Sequence, residues 1–306
     1  MRMRRFGIGF GTAALCLGAA EPALAQRNRV ALERERIDTT IPFNASGSLE
    51  LELTSGEIRV NAWTRSEARI IATSGGGEIS AVLSPSRIEL DSRRSRGGTR
   101  YTLTVPVGVT VSASATSGSI IVNGTRGPVE LETRSGNIEA SEVSGRVHID
   151  AASGRVTLQR VSGSATVEVL TGSVSINEIE GDLEIDAIGG SSKVEGANLR
   201  RLVFESVSGS FEFSGQLGPT GPHAIETHSG TVTLRVPANF AATLDLATSS
   251  GELRPTDFSL VTLPRQARGR DSDRLRFSIN GGGVPLSITT YSGDIFLRRI
   301  GATQER

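Results

Sequence analysis

The sequence is poor in cysteine, histidine and aromatic residues, and each scarcity excludes a kind of site. Among its 306 residues there are one cysteine, Cys16, and three histidines. Beyond Cys16 the chain therefore has no thiol nucleophile, no disulfide framework and no cysteine-based metal site. Aromatic residues make up only 4% of the chain, so few side chains can stack on sugar rings. We expect neither a metal nor a cofactor, and packing must stabilise the fold.

An excess of charge of either sign is also missing. Lys and Arg together number 33, as do Asp and Glu, which gives a formal net charge of +0 at pH 7. Balanced charge provides no bulk attraction to nucleic acid or to anionic lipid. We therefore expect no nucleic-acid partner.

Long apolar runs are absent except near the first residues. Arginines within the first five positions precede an apolar stretch, Phe6 to Ala20, and Ala23-Leu24-Ala25 has the A-x-A pattern of a cleavage site. This three-part pattern predicts a signal peptide over residues 1–25. A membrane anchor is disfavoured, because about 20 uninterrupted apolar residues are needed to span a bilayer. We expect an exported protein, periplasmic or on the cell surface or secreted, that spans no membrane after signal removal.

Glycine is plentiful, and its spacing reveals a repeat. The residues two and four positions after the repeat glycines are almost all apolar, and the residue between them is mostly polar. Alternation with period two predicts a strand buried on one face, and Ser-Gly or Thr-Gly predicts a turn. We assign as structural turn residues nine glycines at intervals of nine: Gly118, Gly127, Gly136, Gly145, Gly154, Gly163, Gly172, Gly181 and Gly190.

The residue four positions before each glycine shows how many units make one coil. In every second unit it is acidic, and in the units between it is neutral: Asn123, Ser141, Gln159 and Asn177. The true period is therefore 18. The fold prediction is all-β, a parallel β-solenoid of about 18–20 residues per coil, with two nine-residue strand-turn units per coil.

Another apolar column comes directly before the turns. Its members are Val143, Ala152, Val161, Leu170, Ile179 and Ile188. We expect this column to fill the corner of a narrow core.

The acidic column is the feature most suggestive of binding. Stacked strands would place its carboxylates about 4.8 Å apart, where two charges repel by just under 1 kcal/mol in water. Arginines such as Arg134, Arg155 and Arg201, or solvent, would relieve this repulsion. Alternatively, the column is a strip that binds cations or a basic partner. Its members are the candidate binding residues Glu132, Asp150, Glu168, Asp186, Glu205 and Glu226.

The repeat phrase persists at longer spacing from residue 45 to residue 299, which predicts one solenoid domain there. Residues 255–275 are polar and predict a surface loop insertion, residues 26–44 an N-terminal lead or cap, and residues 300–306 a C-terminal tail. The charged segment from Arg27 to Arg36 allows a flexible lead or a short helical cap. Unpaired strand edges at the ends also allow end-to-end or edge self-association.

Two segments outside the nine-residue repeat match each other. "YTLTVPVGVTVSASATSGSI" begins at Tyr101, and "VTLRVPANFAATLDLATSSGEL" begins at Val232. Each contains Val-Pro and an extended link. Because proline cannot donate to a strand ladder, we place Pro106 and Pro237 at strand ends or edges.

Catalytic chemistry finds little support in the sequence. His148 lies at an outward strand position and His228 beside a turn, and a catalytic histidine needs an orienting partner and a nearby nucleophile. Serines repeated in every coil are turn residues rather than nucleophiles. The turns also lack the recurring aspartate of calcium-binding nonapeptide repeats. We therefore predict that the protein is not an enzyme.

Several stretches resemble a known bacterial family. "SGEIRVNAWTRSEARI" (55–70) resembles its N-terminal strand pair, "LTVPVGVTV" its Val-Pro link, and the Ser-Gly repeats through "YSGDIFLRR" its core and end. The family is that of putative adhesins built of Ser-Gly-Asp-Val/Ile β-strand repeats, a domain of unknown function. The resemblance covers most of residues 45 to 299 and implies the strand-repeat fold, but it brings no catalytic motif.

Residues and resemblance together favour a non-enzymatic, exported cell-envelope interaction or scaffold protein, adhesin-like, that binds an envelope protein or a polysaccharide. One alternative is a carbohydrate-active β-helix enzyme or polysaccharide-binding module. It would show a groove with convergent carboxylates and perturbed pKa values instead of evenly spaced ladders. The other alternative is an accessory protein that senses envelope stress through a membrane partner.

Overall fold

The computed structural model describes residues 30–92, 97–251 and 274–301, with short pieces at 253–255, 257–259 and 261–262. The predicted signal peptide lies outside the described residues, as do most of the 255–275 insertion and of the 300–306 tail. Every regular element of the described part is a strand, which confirms the all-β prediction.

Nineteen strands hydrogen-bond into one long open sheet. They are β1 (Val30–Arg34), β2 (Arg36–Pro42), β3 (Ser48–Trp63), β4 (Glu67–Ser74), β5 (Ile79–Leu83), β6 (Arg87–Asp91), β7 (Thr99–Pro106), β8 (Thr110–Asn123), β9 (Val129–Ser141), β10 (Ser144–Ser208), β11 (Ser210–Leu217), β12 (His223–Ser229), β13 (Val232–Val236), β14 (Ala242–Thr248), β15 (Leu253–Pro255), β16 (Val261–Thr262), β17 (Arg274–Ile279), β18 (Val284–Thr290) and β19 (Ile295–Arg299).

The nine-residue units stack in the middle of the chain. Val111 of β8 pairs in parallel with Val129 of β9, which pairs with Val147 of β10. The second unit of each coil stacks in the same way, with Ile138 of β9 beside Val156 of β10. The sheet is therefore solenoid-like and has two sides. We call the side that holds Val129 and Val147 the front, and the side that holds Ile138 and Val156 the back.

The coils near the two ends are not stacked in chain order. β3 lies between β7 and β8, since Ile58 pairs in parallel with both Tyr101 and Ile120. At the other end, β18 lies between β12 and β14, and β19 lies between β13 and β15. One coil at each end thus comes from a part of the chain out of sequence order, β3 at the first end and β18 with β19 at the other.

The two matching Val-Pro segments mark these crossings. Pro106 ends β7 and Pro237 follows β13, so both prolines lie at strand ends as expected. Each begins a turn, in which the Val109 N–H donates to the Pro106 carbonyl and the Phe240 N–H to the Pro237 carbonyl. After the turn the chain rejoins the stack two coils away, which leaves space for the inserted coil.

Antiparallel strands close both ends of the stack. At one end β4 pairs with β7 and β2 with β4, while β5 pairs with β6 and β1 with β5. At the other end β17 pairs with β14, and β16 with β17. The sequence allows a flexible lead or a helix from Arg27 to Arg36, and both are wrong for its described residues. A strand forms there because it satisfies the open backbone edges of β4 and β5.

Inward side chains from both sides form one continuous core. Val147 and Ile149 are buried on the front, and Val156 on the back. Where the coils lengthen, Phe204 and Phe211 stack inside the core with ring centroids 4.1 Å apart. This thin interior carries the hydrophobic stabilisation of the fold.

Contrary to the prediction, the apolar column before the turns does not fill the core uniformly. Alternate members, 18 residues apart, are buried, and the large apolar members between them are exposed. Val143, Val161 and Ile179 are buried, whereas Leu170 and Ile188 are 49% and 51% exposed. The difference arises from the backbone. The residues that precede the buried members adopt a left-handed conformation, with φ of 55° at Glu142, 52° at Arg160 and 60° at Glu178. This conformation interrupts the alternation and turns the next side chain inward, whereas the exposed members continue a regular strand.

We expect Glu178→Gly to stabilise the fold, because a non-glycine residue in the left-handed region is strained. Glycine removes this strain, but its greater freedom in the unfolded chain offsets part of the gain. The free energy of unfolding should therefore rise by about 0.5–1 kcal/mol. Glu139→Gly is the matched control, since Glu139 is exposed in β9 between buried Ile138 and Ala140, and glycine should weaken a regular strand there. Urea denaturation of both variants checks the opposite signs, and a loss of stability in Glu178→Gly would contradict the assignment.

The repeat glycines allow the coils to approach closely. At Gly154, φ is 128°, and a Cβ atom would lie 1.8 Å from the carbonyl oxygen of Gly136 in the preceding coil. Gly127 differs from the other eight because its φ is not positive, yet a Cβ there would lie 2.3 Å from the carbonyl oxygen of Val109. Glycine is therefore required at these positions for two reasons, the turn geometry and the close contact between the backbones of neighbouring coils.

Candidate functional site

The acidic column lies along a groove on the front. The groove has a volume of ≈ 1010 Å³ and is lined by residues of β10, β12, β14 and β18 and of the turns that follow. Glu132 lies one coil below and is not part of the lining. The other five predicted binding residues line the groove, and we call them the acidic row: Asp150, Glu168, Asp186, Glu205 and Glu226.

A row of exposed apolar side chains runs beside the acidic row. Leu170, Ile188 and Val207 line the groove and are 49%, 51% and 54% exposed. We call these three residues the apolar row. Each follows a member of the acidic row by two positions and therefore points to the same side of the strand. At the end of the groove the rings of His228 and Tyr291 stack with centroids 4.9 Å apart. Clustered exposed apolar side chains typically mark interaction surfaces.

The acidic row carries uncompensated negative charge. None of its members forms an ion pair within the part of the chain that the structure describes. Arg201, expected to compensate the column, binds Glu184 instead, with its Nη1 atom 2.8 Å from Glu184 Oε2. Arg134 and Arg155 form no ion pair with any described residue. Solvent is thus the main source of compensation for the row.

Burial raises the pKa of Asp186, and the negative charges of Glu205, Glu184 and Glu168 raise it further. A raised carboxyl pKa means that the fold disfavours the ionised form. The repulsion expected from the sequence therefore acts at the centre of the groove. A cation bound there would relieve it.

We expect Asp186→Asn to increase the free energy of unfolding at neutral pH. The gain should be less than about 1 kcal/mol, because solvent screens charges that are this exposed. Since the folded pKa lies above the unfolded one, ionisation destabilises the fold as the pH rises through the folded pKa. The gain should therefore disappear well below the ordinary aspartate pKa of 3.8. Urea denaturation at neutral and acidic pH measures both effects, with Glu139→Gln on the back as a control. A gain that persists in acid would contradict the electrostatic origin.

The histidines lack the arrangement of a catalytic base. His148 pairs in register with Glu130 on the outside of the sheet, and His228 stacks on Tyr291. His223 is buried and donates from Nε2 to the Gly218 carbonyl at 2.8 Å, and burial lowers its pKa. In the described part of the chain, no cluster of His, Cys, Asp and Glu side chains could hold a metal ion. The same residues include no apolar helix of membrane-spanning length.

The apolar row is the part of the site that sequence reasoning missed. The signal is present in the sequence, because Leu170 and Ile188 follow outward acidic residues by two positions, and alternation then predicts an outward side chain. Treating the apolar column before the turns as uniform conceals this signal. Val207 and Tyr291 lie beyond the regular nine-residue spacing and cannot be aligned with the column by counting alone.

The solved structures to which this chain is similar include two bacterial proteins. A putative cell adhesion protein from Clostridium sporogenes ATCC 15579 is 11% identical, with a TM-score of 0.20, over 86% of this chain and 99% of the other. A putative adhesin from Bacteroides fragilis NCTC 9343 is 14% identical, with a TM-score of 0.29, over 86% of this chain and 96% of the other. At such TM-scores these likenesses carry no conclusion about the function of this chain.

Comparison with protein families gives a stronger result than comparison with solved structures. No curated protein matches the chain. The family model described as Toastrack DUF4097 matches residues 109–298, which include all of the acidic and apolar rows. The match supports the resemblance to a strand-repeat family of unknown function, while the Ser-Gly-Asp-Val/Ile form of the repeat stays a prediction. With well over half of its length matched, this chain belongs to the Toastrack DUF4097 family.

Proposed function

We propose that the protein is a non-enzymatic, exported interaction protein of the cell envelope, adhesin-like, that binds its partner in the front groove. Paired nine-residue units, stacked as coils of about 18–20 residues, serve as the rigid support. The N-terminal signal pattern supports export, either to the periplasm or to the cell surface.

One observation carries this proposal, namely the apolar row beside uncompensated carboxylates. Leu170, Ile188 and Val207 are among the few large apolar side chains exposed in the described residues, and they are neighbours along one groove. Exposed apolar side chains bring no stability to the isolated chain, and the adjacent charges repel one another. A partner that covers both rows would remove both costs.

A carbohydrate-active function is the second candidate, because one observation favours it. Asp186 has a raised pKa and lies between ionisable neighbours, as the general acid of a glycosidase does. Against it, the carboxylates form an evenly spaced row, and the apolar row beside them is aliphatic, where sugar-binding grooves usually offer aromatic platforms. If this function holds, the wild type should cleave polysaccharides of the envelope, and Asp186→Asn should leave them uncleaved. Absence of new reducing ends with wild-type protein removes this candidate.

Capture from envelope extracts of the source organism tests the proposal. A groove variant, Glu168→Gln with Asp186→Asn and Glu205→Gln, removes three charges without changing side-chain size. The matched control, Glu130→Gln with Glu139→Gln and Glu180→Gln, removes three exposed charges outside the groove. We expect the wild type and the control to retain the same envelope component, identified by mass spectrometry, and the groove variant to lose it.

Two results would overturn the proposal. One is retention of the component by the groove variant at the wild-type level, which would place binding elsewhere. The other is the absence of any component that distinguishes the groove variant from the control.

A further inference from the structure

The two rows of the groove define the chemistry of what binds there. The acidic row spans five coils, from Asp150 to Glu226, and neighbouring coils are about 4.8 Å apart. The apolar row runs parallel to it, two residues along each strand, which is about 6.7 Å away. A ligand that satisfies both rows must present positive charges along one line and apolar groups along an adjacent line.

The spacing of the coils favours a helical ligand over an extended one. Along an α-helix, side chains on one face recur once per turn, every 5.4 Å, which is within about 0.6 Å of the coil spacing. In an extended peptide, side chains on one face recur about every 6.7 Å, so charges and carboxylates lose register after two or three coils. The five carboxylates of the acidic row cover about 19 Å, the length of a helix of roughly 13 residues.

Charge complementarity identifies the polar face of this helix. The acidic row has no ion-pair partner among the described residues, and burial together with the neighbouring carboxylates disfavours the ionised form of Asp186. Lys or Arg side chains at successive turns would pair with the row and cancel the repulsion. The aliphatic stems of these side chains would lie over the groove floor.

The apolar row identifies the second face. Leu170, Ile188 and Val207 are aliphatic and about half exposed, which suits Leu, Ile or Val side chains at helical spacing. The aromatic pair of His228 and Tyr291 closes this wall at one end, where the exposed Tyr291 ring can receive a further apolar residue. Such an aliphatic surface would leave sugar hydroxyls without hydrogen-bond partners.

We propose that the groove binds a cationic amphipathic α-helix of a partner protein, with Lys or Arg on the acidic row and aliphatic residues on the apolar row. The proposal rests on the interaction function above and specifies the partner of the same groove. An extended basic segment, a polysaccharide or a second copy of this chain are the competing occupants.

Three synthetic peptides of about 16 residues test the helix. The first places Lys and Leu on adjacent stripes at helical spacing in an Ala background. The second has the same composition in scrambled order, and the third carries two prolines within the first sequence. Fluorescence anisotropy with the full chain should show the first peptide binding at least about tenfold tighter than the other two at physiological salt.

Protein variants locate the binding. Both the groove variant and a second variant, Leu170→Ser with Ile188→Ser and Val207→Ser, should lower the affinity for the helical peptide by about tenfold or more. The charge control at Glu130, Glu139 and Glu180 should stay within about twofold. Asp186 is half-buried and the other substituted side chains are exposed, so circular dichroism should show unchanged folding in every variant.

Two outcomes overturn this inference while leaving the interaction function standing. Equal affinity for the three peptides would show an attraction to positive charge without helical register. Groove-dependent capture of a polysaccharide or of a non-helical segment from envelope extracts would show a different occupant. If capture itself is independent of the groove, the proposed function fails first, and peptide binding would then have no bearing on it.

Discussion

Gly154→Ala is expected to destabilise the protein by about 3 kcal/mol or more, a large effect for the addition of one methyl group. Gly154 has a φ of 128°, and its Cβ would lie 1.8 Å from the carbonyl oxygen of Gly136. The neighbouring atom is backbone, which cannot rotate away as a flexible side chain could. Gly172 in turn lies over Gly154, so the displacement would pass to the next coil.

Gly98→Ala provides the matched comparison. A Cβ at Gly98 would meet nothing within 4 Å, so the same chemical change should leave the stability almost unchanged. Guanidinium chloride denaturation of the two variants measures the difference. If both variants unfold at the wild-type midpoint, the coils are not in the close contact described above.

Phe211→Ala is expected to have the next largest effect, a loss of about 3–5 kcal/mol in the free energy of unfolding. The Phe211 ring is fully buried and stacks on Phe204 with centroids 4.1 Å apart. Because the core is thin, few neighbouring side chains can move to fill the cavity that alanine would leave.

Phe296→Ala is the control for this substitution. Phe296 lies on the outer surface of the back, partly exposed, with the Arg298 guanidinium 5.4 Å from its ring centroid. Its loss should cost less than about 1 kcal/mol. Thermal unfolding followed by circular dichroism compares the two, and similar losses at both positions would contradict the placement of the core.

The central coils could be predicted from the sequence because one local rule repeats there. Each glycine has the same interval and each alternation has the same phase, so the repeat alone places Val147, Ile149 and Val156 inside, where they are buried. The end coils could not be predicted in the same way. Their neighbours, such as Ile58 beside Tyr101 or Leu286 beside His223, are distant in sequence, and no local pattern encodes which distant strand fills the gap.

Only half of the candidate site could be predicted from the sequence. Charge alone identified the acidic row, since Asp and Glu in a strand repeat point to solvent unless they are paired. The apolar row required a distinction that composition does not carry. Val161 and Leu170 are both apolar and both precede a turn, but the left-handed residue at Arg160 turns the first inward, while the second continues the alternation and stays outside.

The outward orientation of the apolar row is the claim on which both proposals depend, and thiol labelling tests it directly. In a Cys16→Ala background, Leu170→Cys would place the only thiol at a side chain that is 49% exposed, and Val169→Cys would place it at one that is 3% exposed. We expect the thiol at position 170 to react with a maleimide as fast as in a free peptide, and the thiol at position 169 to react only when the protein opens. Protection at 170 together with rapid reaction at 169 would contradict the account, because the apolar row would then lie in the core and the groove would lose its second wall.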